Sequence, residues 1–171
     1  MEISRRTDDA MRLLAALVAA KGRTVSVRDI AQNQDVPYAF ARSIEHALAQ
    51  AGIISTSRGA KGGMILAKQP NEFTLFEVVE CVQGPVGISV CTREEDWCVR
   101  APNCRFHGIW QGADQLLREY LSSITFAQAL GLEPRTDPWV GKIGDFPIIF
   151  DSDRMALLGA SDPAASQDSI G

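Results

Sequence analysis

Residues 26–52 read "SVRDIAQNQDVPYAFARSIEHALAQAG", and the fold turns on them. Ser26 is a good N-cap, and Ile30 and Ala31 follow it on one helical face, so "SVRDIAQNQ" predicts a short helix. Pro37 then stands at a helix start, Phe40, Ile44, Ala47 and Leu48 are spaced along one face, and Gly52 ends the segment. Two helices joined by a tight turn form a helix-turn-helix, whose second helix is the one that enters a DNA groove.

The flanks extend that reading in both directions. Upstream, "DDAMRLLAALVAA" places Met11, Leu13, Leu14, Ala16, Leu17 and Ala20 at helical spacing, with Thr7 or Asp8 available as the cap. Downstream, "IISTSRGAKGGMILAKQ" holds two β-prone runs, Ile53 to Ser55 and Met64 to Ala67, around a glycine-rich basic tip, which predicts a β-hairpin wing. Helix, helix, helix, wing is a winged-helix domain.

Further along, "TLFEVVECVQG" reads as a helix presenting Leu75, Phe76, Val78, Val79 and Val82. "CTREEDWCVRAPNCRFH", residues 91–107, has no periodicity and reads as a loop with a turn at Pro102 and Asn103. From Phe106 the positions Ile109, Ala113, Leu116, Leu117, Tyr120, Leu121 and Ile124 make a long apolar stripe that needs a partner. The expected fold class is therefore mainly α: a winged helix-turn-helix domain with a β-hairpin wing, plus a long C-terminal helix that pairs two copies into a homodimer. The expected division is a DNA-binding domain at 1–70, a cysteine loop and dimerisation helix at 71–132, and an acidic, partly disordered extension at 133–171, with disorder expected from about Ser161. Within that extension the "FPIIF" patch, with Trp139 before it, is expected to dock back on the body or add a strand.

Composition narrows the function. A chain of 171 residues with 46% hydrophobic content can bury a real core without disulfides. The apolar run near the N-terminus is interrupted by Arg12 and too short for a signal peptide or a membrane span, so a cytoplasmic protein with no membrane association is expected. In that compartment thiols stay reduced, and clustered cysteines bind metal more often than they pair. The net charge of −4 conceals an asymmetry: residues 1–68 carry ten Lys and Arg against six Asp and Glu, whereas both later parts are acidic. DNA binding needs a local basic surface rather than a basic total. There is no Walker loop, no dinucleotide fingerprint and no nucleophile elbow, and with two distant histidines an enzyme is not expected.

The expected partner is a double-stranded DNA operator. Tyr38, Arg42 and Ser43 stand off the apolar stripe in the early turns of the reading helix, where side chains meet base edges and phosphates. In the wing, Arg58 and Lys61 supply charge, while Gly59, Gly62 and Gly63 let the backbone turn tightly and approach a duplex. Arg28 at the start of the second helix is a candidate phosphate contact, and Arg5 and Arg6 are further ones.

Cys91, Cys98 and Cys104 follow a C-x6-C-x5-C pattern, with His107 after two more residues. No close C-x2-C pair is present, so a zinc knuckle is disfavoured, and wider gaps between soft thiolates suit an iron-sulfur cluster. The winged helix, the "RGAKGG" wing tip, the next helix, the three-cysteine loop and the long helix together resemble the iron-sulfur winged-helix regulators of the IscR and NsrR type, the Rrf-two family, over roughly residues 1–130. The resemblance implies that Cys91, Cys98 and Cys104 bind a cluster, although the gap between the first two is one residue longer than in the commonest pattern. It also implies two candidate fourth ligands: His107, as in IscR-type members, or Asp8 reaching across from the other subunit, as in NsrR-type members. A nitrogen ligand favours a 2Fe-2S centre, and an oxygen ligand suits a 4Fe-4S centre that reacts with nitric oxide. The implied function is a dimeric repressor-type transcriptional regulator sensing redox, nitric oxide or iron-sulfur status. The alternative is a cluster-free regulator in which the same three cysteines form reversible disulfides. Cys81 reads as a small core residue, and His46 as surface or satisfied packing.

Overall fold

The computed structural model describes residues 2–59, 62–94, 97–140 and 142. The "FPIIF" patch, the stretch from Ser161 and Lys61 lie outside them. Among the described residues seven α-helices and one hairpin follow in the order α1 (Arg5–Ala19), α2 (Val27–Asn33), α3 (Tyr38–Gln50), β1 (Ile54–Ser57), β2 (Gly63–Leu66), α4 (Leu75–Gln83), α5 (Val90–Arg93), α6 (Arg105–Ser122) and α7 (Phe126–Ala129), with a 3-10 turn at Ala101–Asn103 before α6.

Helix α1 begins one turn earlier than Thr7 or Asp8 would have set it. Ser4 is the N-cap, accepting from the Thr7 amide, while Thr7 itself is fully buried. Leu13, Leu14 and Leu17 face inward and meet Ile30 and Ala31 of α2 and Ala41, Ile44 and Leu48 of α3. Ser26 caps α2 by accepting from the Arg28 and Asp29 amides. Phe40 departs from the expected apolar face: it is 52% exposed, whereas Ile44 and Leu48 are completely buried.

The wing is a two-stranded antiparallel hairpin that pairs Ile54 with Leu66 and Ser57 with Gly63. An isolated bridge between Val25 and Met64 fastens it to the turn before α2, with both amide hydrogen bonds made. That contact explains Gly63: a Cβ there would lie 2.4 Å from the Val25 carbonyl oxygen.

Helix α4 opens with a capping box between Thr74 and Glu77. Its Val78 and Val82 join the same core as α1–α3, together with Phe73 and Phe126, whose rings stack at 5.2 Å. The chain thus leaves this core after Val82 and returns to it at Phe126, beside Thr74 and Thr125. The two threonines form a bridge, the Leu75 amide donates to the Ile124 carbonyl at 3.0 Å, and the Phe126 amide donates to the Phe73 carbonyl at 2.9 Å. Helix α6 runs between those ends for 18 residues, and none of its side chains is fully buried. Phe106, Ile109 and Leu116 are 67%, 59% and 55% exposed.

After α7 the chain does not simply trail away. Arg135 and Asp137 form a two-pronged ion pair at 2.8 and 2.9 Å, and the Trp139 ring meets Tyr120 of α6 edge-on at 6.0 Å. The Gln128 amide donates to Pro134 and Thr136, holding this segment against α7. No described helix is long and apolar enough to cross a membrane.

Candidate functional site

The candidate DNA-contacting residues lie on α2, α3 and the wing. Tyr38 is half-exposed at the tip of α3, and the Arg28 guanidinium lies 5.7 Å over its ring, so α2 and α3 present that pair together. Arg42 is ion-paired with Glu45, a buried residue one turn along, which orients the guanidinium while leaving the side chain 57% exposed. Arg42, His46, Ser57 and Arg58 line one cleft of about 290 Å³ between α3 and β1. His46, read as surface or satisfied packing, is exposed and lines this cleft one helical turn beyond Arg42.

Ser43 is exposed, and its carbonyl accepts from Arg6 at 3.2 Å. Arg6 is consequently turned inward as a brace on α3 rather than outward to a phosphate, and its Nε is buried without a hydrogen-bond partner among the described residues. Gly59 adopts φ +108°, a left-handed conformation that favours glycine. A Cβ on Gly62 would lie 2.3 Å from the Ser57 carbonyl oxygen, so the wing tip needs glycine there to close.

The cysteine segment is partly ordered rather than wholly a loop. Cys91 lies on α5, Cys104 occupies the N-cap position of α6 without a side-chain capping bond, and the Ala101–Asn103 turn stands between Cys98 and Cys104. The residues leading into α5 are held on α6, where Asp114 accepts from the Ile88 amide at 2.6 Å, and the Arg93 side chain folds back over Gly87, where a Cβ would lie 2.3 Å from it. His107 Nδ1 and Cys91 Sγ stand 3.5 Å apart, and Cys98 and His107 line a shared open cavity of about 660 Å³. All four thiols are free and half-buried. Among the described residues no three His, Cys, Asp or Glu side chains converge as a ready metal site. Asp8 is elsewhere occupied, bound to Arg12 at 2.6 Å on the surface of α1.

Cys81 stands apart from this segment. Burial pushes its thiol up to about 11, against a smaller opposing pull from Arg6, and its sulfur donates to the Val78 carbonyl.

A set of hydrogen bonds missed in the sequence joins the two regions. Gln83, the last residue of α4, accepts at Oε1 from the Ser4 amide at 3.1 Å and from the Thr7 hydroxyl at 2.8 Å. Arg6, between those two residues, reaches α3. The end of the helix that leads into the cysteine segment is thereby tied to the start of α1 and onward to the reading helix.

The chain is similar to known regulators over most of its length. A regulator called NsrR from Shouchella clausii is 32% identical over 111 residues, covering 64% of this chain and 74% of that one. A regulator called IscR from Photorhabdus laumondii is 27% identical over 104 residues, covering 61% and 63%. Among solved structures, CymR, the global cysteine regulator of B. subtilis, superposes with a TM-score of 0.56 at 21% identity, covering 78% of this chain and 98% of that one, which supports the winged-helix fold. The family model for Rrf2, described as an iron-dependent transcriptional regulator, matches residues 3–131, and the chain belongs to that family of transcriptional regulators.

Proposed function

We propose that the protein is a homodimeric DNA-binding regulator that senses redox, nitric oxide or iron-sulfur status through a cluster held by Cys91, Cys98, Cys104 and His107. The observation that carries the reading is the 3.5 Å approach of His107 Nδ1 to Cys91 Sγ on two different helices. Soft thiolates with one imidazole suit an iron-sulfur group, so the donors present fit it. His107 is favoured over Asp8, which is engaged by Arg12. When bound, the cluster supplies electron-transfer chemistry and reactivity toward small oxidants.

The protein's own residues supply the coupling. Asp114 holds the residues leading into α5 on α6, Gln83 holds α4 on α1, and Arg6 holds α1 on α3. A change in how residues 84–104 are held therefore reaches the reading helix through packed elements and hydrogen bonds. A coupling of only a few kcal/mol, on the order of 1–3, changes operator occupancy by five- to about a hundredfold. The exposed Phe106, Ile109 and Leu116 of α6 support pairing of two copies along that helix, with half-site spacing set by the dimer. Arg28, Tyr38, Arg42, Ser43 and Arg58, with the wing residues Gly59, Lys61, Gly62 and Gly63, form the DNA-contacting set.

Anaerobic purification with UV-visible and Mössbauer spectra of wild type, His107→Ala and Asp8→Ala tests the proposal. A coloured protein whose spectrum changes in His107→Ala and not in Asp8→Ala is the expected result. A change confined to Asp8→Ala moves the fourth ligand to α1. A colourless protein that still binds DNA after anaerobic reconstitution overturns the cluster and leaves the disulfide-switch reading.

A further inference from the structure

We propose that the first turn of α3 is a thymine reader, with Phe40 packing on the 5-methyl group of a thymine in the major groove. The inference rests on the DNA-binding reading above and deepens it. Three residues form the tip of the helix, Tyr38, Ala39 and Phe40, and all three are exposed. Successive residues of a helix diverge by about 100°, so Tyr38 and Phe40 flank Ala39 on either side. The core takes Ala41, Ile44 and Leu48 instead, each completely buried. Phe40 thus remains 52% exposed on the element that enters the groove.

The chemistry of this tip is selective. A phenyl ring and a methyl group carry no donor or acceptor, so they cannot recognise the hydrogen-bonding edges of guanine, cytosine or adenine. The one apolar feature in the major groove is the thymine methyl, which Phe and Ala side chains contact. The flanks are cationic: Arg28 lies 5.7 Å over the Tyr38 ring, and Arg42 stands exposed one turn along. Such a pattern of positive charge around an apolar tip complements a phosphate-lined groove carrying a methyl, and it argues against a purely apolar protein partner.

The test uses the full chain. Duplexes are enriched from a random pool, the half-site is defined by footprinting, and each thymine is replaced singly by deoxyuridine, which lacks only the methyl. Affinities are then measured for wild type and Phe40→Ala by fluorescence anisotropy at fixed salt. One or two uridine positions per half-site are expected to weaken wild type about fourfold, the worth of one buried methyl-sized group. In Phe40→Ala, whose side chain ends several ångströms short of where the ring reaches, the same replacements are expected to cost nothing, so the two losses fail to add. Equal binding of every uridine duplex overturns the proposal. So does an undiminished penalty in Phe40→Ala, an operator with no invariant thymine, or a Phe40→Ala protein changed in self-association with no dependence on base. Failure to enrich any duplex, or binding that ignores salt, sinks the DNA-binding reading itself before any thymine is altered.

Discussion

Replacing Gln83 by Leu removes the acceptor that holds the first turn of α1. The side chain keeps its approximate size, so packing is little changed, and the effect comes from the hydrogen bonds. Thr7 is completely buried, but its hydroxyl also lies 2.9 Å from the Ser4 hydroxyl and can turn to it. The Ser4 amide, on a half-buried residue, has no such alternative among the described residues and loses its 3.1 Å partner. One lost bond plus one stranded donor costs about 1–3 kcal/mol. With an m value of about 2 kcal/mol per molar urea, a loss of about 2 kcal/mol lowers the unfolding midpoint by about 1 M. Gln83→Glu keeps both acceptor contacts but exchanges the 3.4 Å bond to the Glu2 carbonyl for an oxygen–oxygen contact at an exposed position, so its midpoint should fall by less than half as much, about 0.5 M at most. The assay is urea unfolding followed by circular dichroism at one protein concentration, with DNA affinity measured alongside. Since Arg6 of the loosened turn braces Ser43, affinity should fall in Gln83→Leu as well. A Gln83→Leu midpoint equal to wild type, or a Gln83→Glu protein as weak as Gln83→Leu, would refute the reasoning.

Four further outcomes follow from particular contacts. Gly63→Ala forces a Cβ to within 2.4 Å of the Val25 carbonyl and should cost about 1–3 kcal/mol in thermal or urea unfolding, because backbone, not a flexible side chain, must yield. Cys81, with its thiol near 11 against an ordinary 9.0, should alkylate about a hundredfold more slowly at pH 8 than an ordinary thiol, read by mass spectrometry. The Asp137 carboxyl is held below its ordinary 3.8 chiefly by hydrogen bonds from Arg135, so it contributes stability above that value and loses it as pH falls through its depressed value. Trp139 fluorescence in a Trp97→Phe, Trp110→Phe background should therefore be flat from about pH 5 to 8 and change only in strong acid, whereas Asp137→Asn should show the acid-like signal at neutral pH. Leu116→Asp, at a 55% exposed position, should leave the monomer folded but shift sedimentation from dimer to monomer at micromolar concentration.

Strong local signals in the sequence were realised closely. Ser26 caps α2, Pro37 precedes α3, the hairpin forms around the glycine-rich tip, and the valines of α4 face inward, because each depends on neighbours within a few residues. Phe40 was misassigned because periodicity alone cannot separate the margin of an apolar stripe from its centre, and in the first turn of a helix the margin is open to solvent. Gln83 carried no signal, since its partners lie 76 and 79 residues away and glutamine is common on surfaces. The segment with Arg135, Asp137 and Trp139 looked like a polar tail because two charges close in sequence give no hint that they pair and shield one another. Of the candidate ligands, the composition and spacing of the cysteines were legible, whereas the meeting of Cys91 and His107 required α5 to fold back on α6.

The joined threonines at positions 74 and 125 have a consequence for how such a molecule can diversify. The chain between them starts and ends at a single hydrogen-bonded point, and beyond α4, whose valines stay in the core, the stretch from Gly84 onward behaves as a cassette with its ends already clasped. Closing a longer loop across fixed ends costs only about 0.6 kcal/mol per doubling of its length. One residue more between Cys91 and Cys98 is then almost free, and segments of different length or cysteine spacing can be exchanged in the cassette without re-registering the wing or α3.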